Sequence, residues 1–279
     1  MATEKQVLMR INATKNISKI TQSMKMVSAA KLRGDQARLD AAKPFNKWTE
    51  AISTDCVLLE EGVDTSSWPQ KNLLVAITSD RGLCGGVNSF VSRGIKKIVS
   101  SLEDEGKEAT ILVVGEKGRS QLSRLYPEIM DRTLTEALTP MQFSMAAAVT
   151  REALKNEFDA LHIVYNKFKS AIAYETSCQS IPSLTNTEEE PMLEYEFEPD
   201  TKEEVLQDLY EFLLASQMHY SLMEGATSEQ SSRMNAMENA SKNAGEMIDS
   251  LTLVYNRARQ SRITTELIEI ISGASALDD

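Results

Sequence analysis

The C-terminal run from Thr201 to about Ala276 constrains the fold more than any other part of the chain. It contains no proline, and its small or apolar residues recur at alternating steps of three and four positions. This spacing predicts the a/d seam of a coiled coil. The predicted seam comprises Met237, Ala240, Ala244, Met247, Leu251, Val254 and Ala258. As one helix the run would extend roughly 110 Å at 1.5 Å per residue, so it needs a partner.

Residues 3–60 supply a candidate partner at the other end of the chain. They predict a long helix with a narrow apolar seam of the same spacing, flanked by lysines, that comprises Ile17, Ile20, Met24 and Val27. Pro44 predicts a kink or a break, because proline has no N–H to donate within a helix. We expect the two terminal helices to pair antiparallel as one long coiled coil.

The charge distribution leaves other interpretations of the N-terminus open. Residues 1–47 carry ten Lys/Arg against three acids, a net of +7, which leaves −18 for the rest of this −11 chain. A basic amphipathic N-terminus is also typical of an organellar transit peptide or a membrane-surface helix. The length of the pattern and its narrow seam favour a partner helix.

A second charged segment, Glu188–Glu204, holds nine acids against Lys202 alone. Such runs are either solvated faces or surfaces for oppositely charged partners. An acidic chain argues against nucleic acid as a partner.

Residues 72–200 follow a different pattern, in which short apolar runs alternate with helical segments. The predicted strands are Asn72–Ser79, Thr110–Gly115, Ile129–Leu134, Asp159–Asn166 and Ala171–Ser183, the last two antiparallel. The predicted helices are Ser89–Glu103, Glu116–Tyr126 and Thr139–Phe158. This alternation indicates a Rossmann-like, doubly wound α/β domain, preceded by a linker at Gly62–Gln70. The sequence thus predicts an α/β fold in which 1–60 and 201–279 form a helical shaft and 72–200 an inserted domain.

No motif predicts catalysis, a metal site or a cofactor. The glycine-rich turn at residues 79–88 (SDRGLCGGVN) follows a strand and opens a helix, but it matches neither common phosphate-binding spacing. We expect its glycines to allow a tight turn that presents Arg81 outward. The three cysteines, Cys56, Cys84 and Cys178, are widely spaced and predict reduced thiols in a non-secretory compartment.

Three blocks of this sequence resemble the gamma subunit of rotary F-type ATP synthases, especially the mitochondrial form. They are Lys15–Leu32, Thr78–Gly86 (TSDRGLCGG) and Ser228–Ala274, and the last ends in the pattern I-T-x-E-x-x-E-x-x-x-G-A from Ile263 onward. The blocks bracket the whole chain, and their order agrees with a helix, an inserted domain and a second helix.

The resemblance implies a central rotor shaft. The terminal helices would stand inside the ring of alternating alpha and beta subunits. The α/β domain would face the membrane c-ring and the small delta and epsilon stalk subunits. Proton flow would turn the shaft and drive ATP synthesis in the ring, while the gamma chain itself would catalyse nothing. The implied location is the matrix side of the mitochondrial inner membrane, and the start Met1-Ala2-Thr3-Glu4 resembles a mature mitochondrial terminus.

The resemblance also implies which residues contact the alpha/beta ring. These are Met24, Lys25, Arg81, Arg233, Arg259, Gln260, Thr264 and Glu266. Arg81 would approach an acidic loop of beta, Arg259, Gln260 and Thr264 would contact the beta catch loop, and Met24 lies in the coupling segment. Each of these could instead be a solvent-facing or seam residue. Contact of Glu188–Glu204 with the ring's polar loops is a further hypothesis.

Two other functions stay open from the sequence. One is a coiled-coil scaffold without a rotary role. The other is a nucleotide-binding α/β domain with helical arms, which ATP binding by the isolated chain would reveal.

Overall fold

The computed structural model describes residues 4–52, 56–59, 62–137, 139–182 and 202–278. Its elements in chain order are α1 (Glu4–Ile52), β1 (Val57–Leu58), β2 (Lys71–Ile77), α2 (Val87–Asp104), β3 (Glu108–Val114), α3 (Glu116–Leu122), β4 (Met130–Leu134), α4 (Phe143–Ala153), β5 (Ala160–Ser170), β6 (Ala173–Pro182) and α5 (Lys202–Asp278). Within these ranges no helix is long and apolar enough to cross a membrane. The acidic run predicted at 188–204 lies mostly outside them.

The chain forms two compact units. The helical unit comprises Met1–Val27 and Met234–Asp279, and the α/β unit comprises Ser28–Arg233. The α/β unit therefore includes parts of both terminal helices as well as the inserted segment.

The α/β unit is built on a mixed sheet with the described strand order β1-β6-β5-β2-β3-β4. Strands β5, β2, β3 and β4 run parallel, whereas β6 returns antiparallel along β5 and β1 along β6. The predicted α/β fold and the antiparallel final pair are confirmed. The parallel strands are continuous apolar runs because both faces of the sheet are covered.

Each face of the sheet packs against its own pair of helices. Alternate residues of β2 point to opposite sides, so that Leu73, Val75 and Ile77 join one core cluster and Leu74 and Ala76 the other. Helices α4 and α5 cover the first face, with α5 contributing Tyr210, Leu213, Leu214, Met218 and Leu222. Helices α2 and α3 cover the second.

In the helical unit, α1 and α5 pair antiparallel, as predicted. Cross-helix contacts join Glu4 to Arg262 (2.9 Å), Thr21 to Ser241 (2.7 Å) and Lys25 to Glu238 (2.7 Å). Residue numbers fall on α5 as they rise on α1, which defines the antiparallel direction.

The seam predicted on α1 is wrong. Ile17, Ile20 and Val27 are each more than half exposed. In this unit, the buried or half-buried stripe of α1 consists mostly of small or polar residues instead: Val7, Ile11, Thr14, Ser18, Thr21 and Lys25. These positions keep the three-four spacing, but apolarity alone pointed to another stripe. Small side chains allow the two backbones to approach closely, and their hydroxyls find partners, such as Arg10 O for Thr14 Oγ1.

The seam predicted on α5 is correct at five of its seven positions. Met237 and Ala244 are buried and Ala240, Leu251 and Ala258 partly so, whereas Met247 and Val254 are exposed. Ser241, Ile248 and Tyr255 complete the observed stripe. The two wrong positions have a simple origin. Met247 and Ile248 are adjacent and both apolar, so the spacing alone could not tell which of them belongs to the buried stripe.

The end of the first helix was also predicted wrongly. Helix α1 continues through Pro44 but ends at Ile52 rather than residue 60, and Val57–Leu58 forms an edge strand. Residues after Pro44 are held by packing: Asn46 and Thr49 are buried, and Thr49 Oγ1 lies 2.9 Å from Gln217 Oε1 of α5. These contacts offset the roughly 3 kcal/mol that an internal proline costs a helix. Helix α4 begins at Phe143, later than the predicted Thr139.

Two isoleucines on the same helix test the reassigned seam. Ile11→Ala should speed amide hydrogen exchange in α1 between residues 8 and 21 by roughly 30-fold, since removing a buried isoleucine side chain costs about 2 kcal/mol or more. Ile17→Ala should change exchange by less than about threefold, because exposed substitutions stay within about 0.5 kcal/mol. Equal effects would show that the observed seam is misassigned.

Candidate functional site

Two surfaces of the helical unit are available to a partner. The first is the exposed apolar face of α1, formed by Ile17, Ile20 and Val27. Met24 is half-buried at its border, next to the buried stripe. The helix thus has two stripes, one of which packs on α5 while the other presents apolar surface to solvent. This face is therefore a candidate interaction surface.

Lys25 belongs instead to the stripe of α1 that faces α5. Its Nζ is 2.7 Å from Glu238 Oε1, and both side chains are substantially exposed. Such a pair contributes about 0–1 kcal/mol and can exchange partners readily.

The second surface is the C-terminal part of α5. Arg259, Gln260, Thr264 and Glu266 are all exposed, and Thr264 Oγ1 donates to Gln260 O at 2.9 Å. Beyond Arg262, whose partner Glu4 is the first described residue of α1, every side chain from Ile263 to Gly273 is exposed. This segment includes five large aliphatic residues, Ile263, Leu267, Ile268, Ile270 and Ile271. A single helix that is apolar on several faces requires a partner to bury it.

The two surfaces lie at different levels of the coiled coil. About 24 residues of α5 separate Glu238 from Arg262, which corresponds to roughly 36 Å of helix. Met24 and Lys25 therefore cannot share one binding site with Arg259 and its neighbours.

In the α/β unit, the turn after β2 has a rigid frame. Asp80 accepts hydrogen bonds from the backbone N–H groups of Glu116 (3.0 Å) and Ala137 (2.9 Å). Asn88 accepts from the Ser79 N–H (2.9 Å) and donates to Ser79 Oγ (2.8 Å). Cys84 is buried within this frame.

Arg81 projects from this turn and is exposed, as the sequence predicted. The positive φ angles fall on Leu83 (62°) and Gly85 (64°), and not on Gly82 or Gly86. A left-handed leucine costs roughly 1–2 kcal/mol. The turn thus keeps a strained backbone that presents Arg81 and Leu83 outward.

Two side chains of α5 hold this turn in place by hydrogen bonds to its backbone carbonyls. Ser232 Oγ donates to Cys84 O at 2.7 Å, and Arg233 Nη2 lies 3.4 Å from both Arg81 O and Gly82 O. Arg233 is only 7% exposed and pairs with Glu229 at 2.5 Å. Burial raises the pKa of Glu229, and Arg233 opposes that rise. The sequence placed Arg233 among ring contacts, whereas its observed contacts are with the turn that carries Arg81.

The same packing fills the place where a Rossmann domain binds nucleotide, at the carboxyl end of the parallel strands. A Cβ on Gly85 would lie 2.7 Å from Ser232 Oγ, so α5 already touches the turn. Ser228 Oγ donates to Asn166 O (2.9 Å) and Ser231 Oγ to Ala171 O (2.7 Å), near the end of β5. This geometry counts against the nucleotide-binding alternative.

The histidine in the sheet has a structural role. His162 Nε2 is 3.0 Å from Asn72 Oδ1 and Nδ1 is 2.7 Å from Ser180 Oγ, while Trp68 stacks on the ring at 3.5 Å. Burial lowers the pKa of His162 to about 3, so the ring is neutral. Among the described residues, no group of three or more His, Cys, Asp or Glu could hold a metal ion.

Comparison with known proteins is decisive for the family. The family model for ATP synthase matches residues 3–277. The mitochondrial ATP synthase subunit gamma of Drosophila melanogaster is 44% identical over 99% of this chain and 91% of its own length. The gamma chain of Paramagnetospirillum magneticum is 41% identical over 99% and 100%. The chain belongs to the ATP synthase gamma-subunit family.

Solved structures agree with this assignment. A central-stalk chain of Tetrahymena thermophila mitochondrial ATP synthase has a TM-score of 0.64 and 31% identity, and the match covers 80% of this chain and 99% of that one. A chain of the Euglena gracilis enzyme has a TM-score of 0.81 at 23% identity, with 98% and 94% covered, which shows the shared fold. The chain is therefore a non-catalytic, central-stalk subunit of an ATP synthase.

Sequence reasoning missed two features of the site. It read the exposed face of α1 as the buried seam, although the flanking lysines beside Ile17 and Ile20 were a sign of an accessible face. It also missed the row of hydroxyls at Ser228, Ser231 and Ser232. Their spacing of three and one puts them on a single side of a helix, which was a readable signal for contact with backbone carbonyls.

Glu224 is a further residue that the sequence did not single out. It is 2% exposed on α5, and its Oε2 has no hydrogen-bond partner. Burial raises the pKa of Glu224 to about 7. The positive charges of Lys167 and Lys43 and hydrogen bonds from Tyr220 and the Phe168 backbone act in the opposite direction and lower it.

This carboxyl makes stability depend on pH. Because the folded pKa lies above the ordinary value of 4.5, the contribution of Glu224 is fully present below pH 4.5 and is lost as pH rises to about 7. Glu224→Gln should therefore have a higher thermal midpoint than the parent at pH 8 and match it near pH 5. The exposed Glu211→Gln is the control. A constant difference between parent and Glu224→Gln across this range would contradict the assignment.

Two glycines test the lock between α5 and the turn. Gly85→Ala combines a left-handed φ with a close contact to Ser232, whereas Gly106→Ala has φ 71° and open space around it. Gly106→Ala should cost about 1 kcal/mol of unfolding free energy, and Gly85→Ala about 2 kcal/mol or more. Urea unfolding of both variants measures the difference, and equal costs would mean that α5 does not hold the turn tightly.

Proposed function

We propose that this chain is the rotor shaft that couples proton-driven rotation of a membrane ring to ATP synthesis in an alpha/beta ring. In this proposal 1–60 and 201–279 form the shaft and 72–200 its base. The observation that carries it is the accessible apolar and polar surface of the helical unit. That surface includes the end of α5 from Ile263, which no described residue covers.

The physics of the shaft fits this role. A shaft that turns in a sleeve must touch its surroundings without permanent attachment. Exposed ion pairs such as Lys25–Glu238 contribute at most about 1 kcal/mol and can re-form at each step. The aliphatic side chains of the α5 end offer non-directional contact, which has no preferred rotational position.

The residues proposed to contact the alpha/beta ring are those that resemble the family's contact positions. They are Met24, Lys25, Arg81, Arg233, Arg259, Gln260, Thr264 and Glu266. Seven of them are exposed or half-exposed, which is compatible with direct contact. For Arg233 we propose an indirect role, since its guanidinium holds the turn from which Arg81 projects.

The proposed partners are the alpha and beta subunits, the delta and epsilon stalk subunits and the c-ring, with no nucleic acid. The relatives from Drosophila and rat are mitochondrial gamma subunits. The Tetrahymena structure contains the central stalk and the c-ring. We therefore propose assembly on the matrix side of the mitochondrial inner membrane.

Single-molecule rotation tests the proposal. The chain would be assembled with a Drosophila alpha/beta ring and a bead attached through Ser100→Cys on the exposed face of α2, then supplied with ATP. Stepwise, unidirectional rotation is the expected result. ATP turnover in the assembled ring with a stationary bead would overturn the rotor assignment, and failure to assemble would favour a scaffold.

Arginine variants test the contact residues in the same assembly. Arg81→Ala and Arg259→Ala should each reduce the rate of ATP-driven rotation by up to about fivefold, because one exposed ion pair contributes at most about 1 kcal/mol. Arg124→Ala, at an exposed position in the α/β unit, is the matched control. Unchanged coupling in both variants, with normal assembly, would remove these two residues from the contact set.

A further inference from the structure

One methionine of the helical unit combines solvent exposure with a hydroxyl group on the partner helix. Met247 of α5 is 56% exposed, and its sulfur lies 3.9 Å from Thr14 Oγ1 of α1. Thr14 is buried between the two helices, at 8% exposure. The contact therefore joins α1 to α5 at a place that solvent reaches from one side.

The contact is weak while the sulfur is a thioether, because thioether sulfur is a poor hydrogen-bond acceptor. The single hydroxyl proton of Thr14 also has another acceptor, Arg10 O, at 2.9 Å on the same helix. That carbonyl is the regular acceptor for the Thr14 N–H, and a second bond from a threonine hydroxyl slightly weakens a helix. The hydroxyl can therefore turn to a better acceptor at little cost.

Oxidation of the Met247 sulfur creates a better acceptor. A sulfoxide adds one polar oxygen to an otherwise apolar side chain. Oxygen atoms joined by an O–H···O bond lie about 2.5–3.0 Å apart. The 3.9 Å between the sulfur and Thr14 Oγ1 leaves room for such an oxygen when the S–O bond points obliquely toward the hydroxyl. The flexible methionine side chain can adjust to this geometry.

Exposure decides which methionines react, because the oxidant must touch the sulfur. In the helical unit Met9 and Met26 of α1 are 64% and 63% exposed, whereas Met237 of α5 is 4% exposed. Among the described residues, no side-chain donor reaches the sulfur of Met9 or Met26. Of the three exposed methionines, Met247 is the one whose new oxygen meets a donor on the partner helix. It also lies outside the buried stripe, so the oxygen does not enter a packed core.

We propose that Met247 is a reversible oxidation site whose sulfoxide ties α5 to α1 through a hydrogen bond donated by Thr14. The oxidant is hydrogen peroxide. The sulfur lone pair attacks one peroxide oxygen, and the O–O bond breaks as the S–O bond forms. The proton on the transferred oxygen passes to the leaving hydroxide, which becomes water. A thiol-dependent methionine sulfoxide reductase reverses the step, since two thiols become a disulfide and the oxygen leaves as water.

The modification makes opening of the helix pair depend on redox conditions. A neutral hydrogen bond of about 1 kcal/mol corresponds to an approximately fivefold lower population of the open pair. Thr14 and Met247 both belong to the helical unit. The inference goes beyond the rotor proposal and does not depend on it, because the contact lies within the α1–α5 pair itself.

Hydrogen exchange in the full chain tests this site. The variant Met9→Leu/Met26→Leu, which removes the other two exposed methionines of the helical unit, is treated with hydrogen peroxide, and peptide mass spectrometry measures the Met247 sulfoxide. Amide exchange of residues 8–21 should slow about fivefold on oxidation. It should recover after treatment with reductases for both sulfoxide epimers. Faster exchange on oxidation, or a Met247 that stays unoxidised, would overturn the proposal.

Thr14→Val separates the hydrogen bond from other effects of oxidation. Valine keeps the branched shape and removes the hydroxyl, so oxidation of Met247 in this background should change exchange by less than about twofold. Ser18→Ala is the matched control, since it removes a hydroxyl one turn further along the same stripe and should keep the fivefold slowing. Equal slowing with and without the Thr14 hydroxyl would contradict the assigned bond.

Met247→Gln tests the same bond without peroxide, so cysteine oxidation cannot contribute. Its amide oxygen is an acceptor on an unbranched side chain. Exchange should slow in Met247→Gln, and Thr14→Val should abolish the slowing. Met247→Leu offers no acceptor and is the control, which should exchange like the parent. A double-mutant cycle across Thr14 and Met247 measures the coupling. Additive effects of the two substitutions would refute the contact.

Discussion

The close antiparallel pairing of α1 and α5 is the interaction on which the helical unit depends. Its seam is built largely from small and polar side chains, such as Thr21, whose hydroxyl lies 2.7 Å from that of Ser241. Small residues let the backbones approach, and this leaves the larger aliphatic residues of α1 on the outside. Packing through small residues therefore leaves an exposed apolar face on α1. A seam of large aliphatic residues would have used that apolar surface internally.

In the α/β unit, helix α5 packs at the edge of the sheet where folds of this kind usually bind a nucleotide. The carboxyl end of a parallel sheet is the usual place for a nucleotide, yet here Ser228, Ser231 and Ser232 donate to carbonyls at that edge. Arg233 extends the same row to the turn that presents Arg81. Here a fold that often binds small molecules instead fixes one loop against one helix. The contacts are hydrogen bonds at short range, so movement of the turn must disturb α5.

The chain separates surfaces by the kind of contact they can make. The helical unit presents exchangeable ion pairs and exposed aliphatic residues, which suit the sliding contact proposed for it. The α/β unit brings the aromatic rings of Phe45, Trp48, Phe143 and Phe212 together from three helices. Membership in the ATP synthase gamma-subunit family gives these surfaces their context, while their chemistry follows from the residues themselves.

Sequence alone determined the helix–domain–helix order, the alternation of strands and helices, the outward Arg81 and the family. Each of these depends on local spacing or on contiguous motifs. Tertiary structure decided which stripe of α1 is buried, because Ile17 and Thr21 both fit a three-four repeat and only the partner helix selects between them. It also decided that α1 passes Pro44, since the packing of Thr49 on Gln217 is remote in sequence. The burial of Arg233 and Glu224 and the meeting of Phe45, Phe143 and Phe212 likewise depend on elements far apart in the chain, which no local pattern brings together.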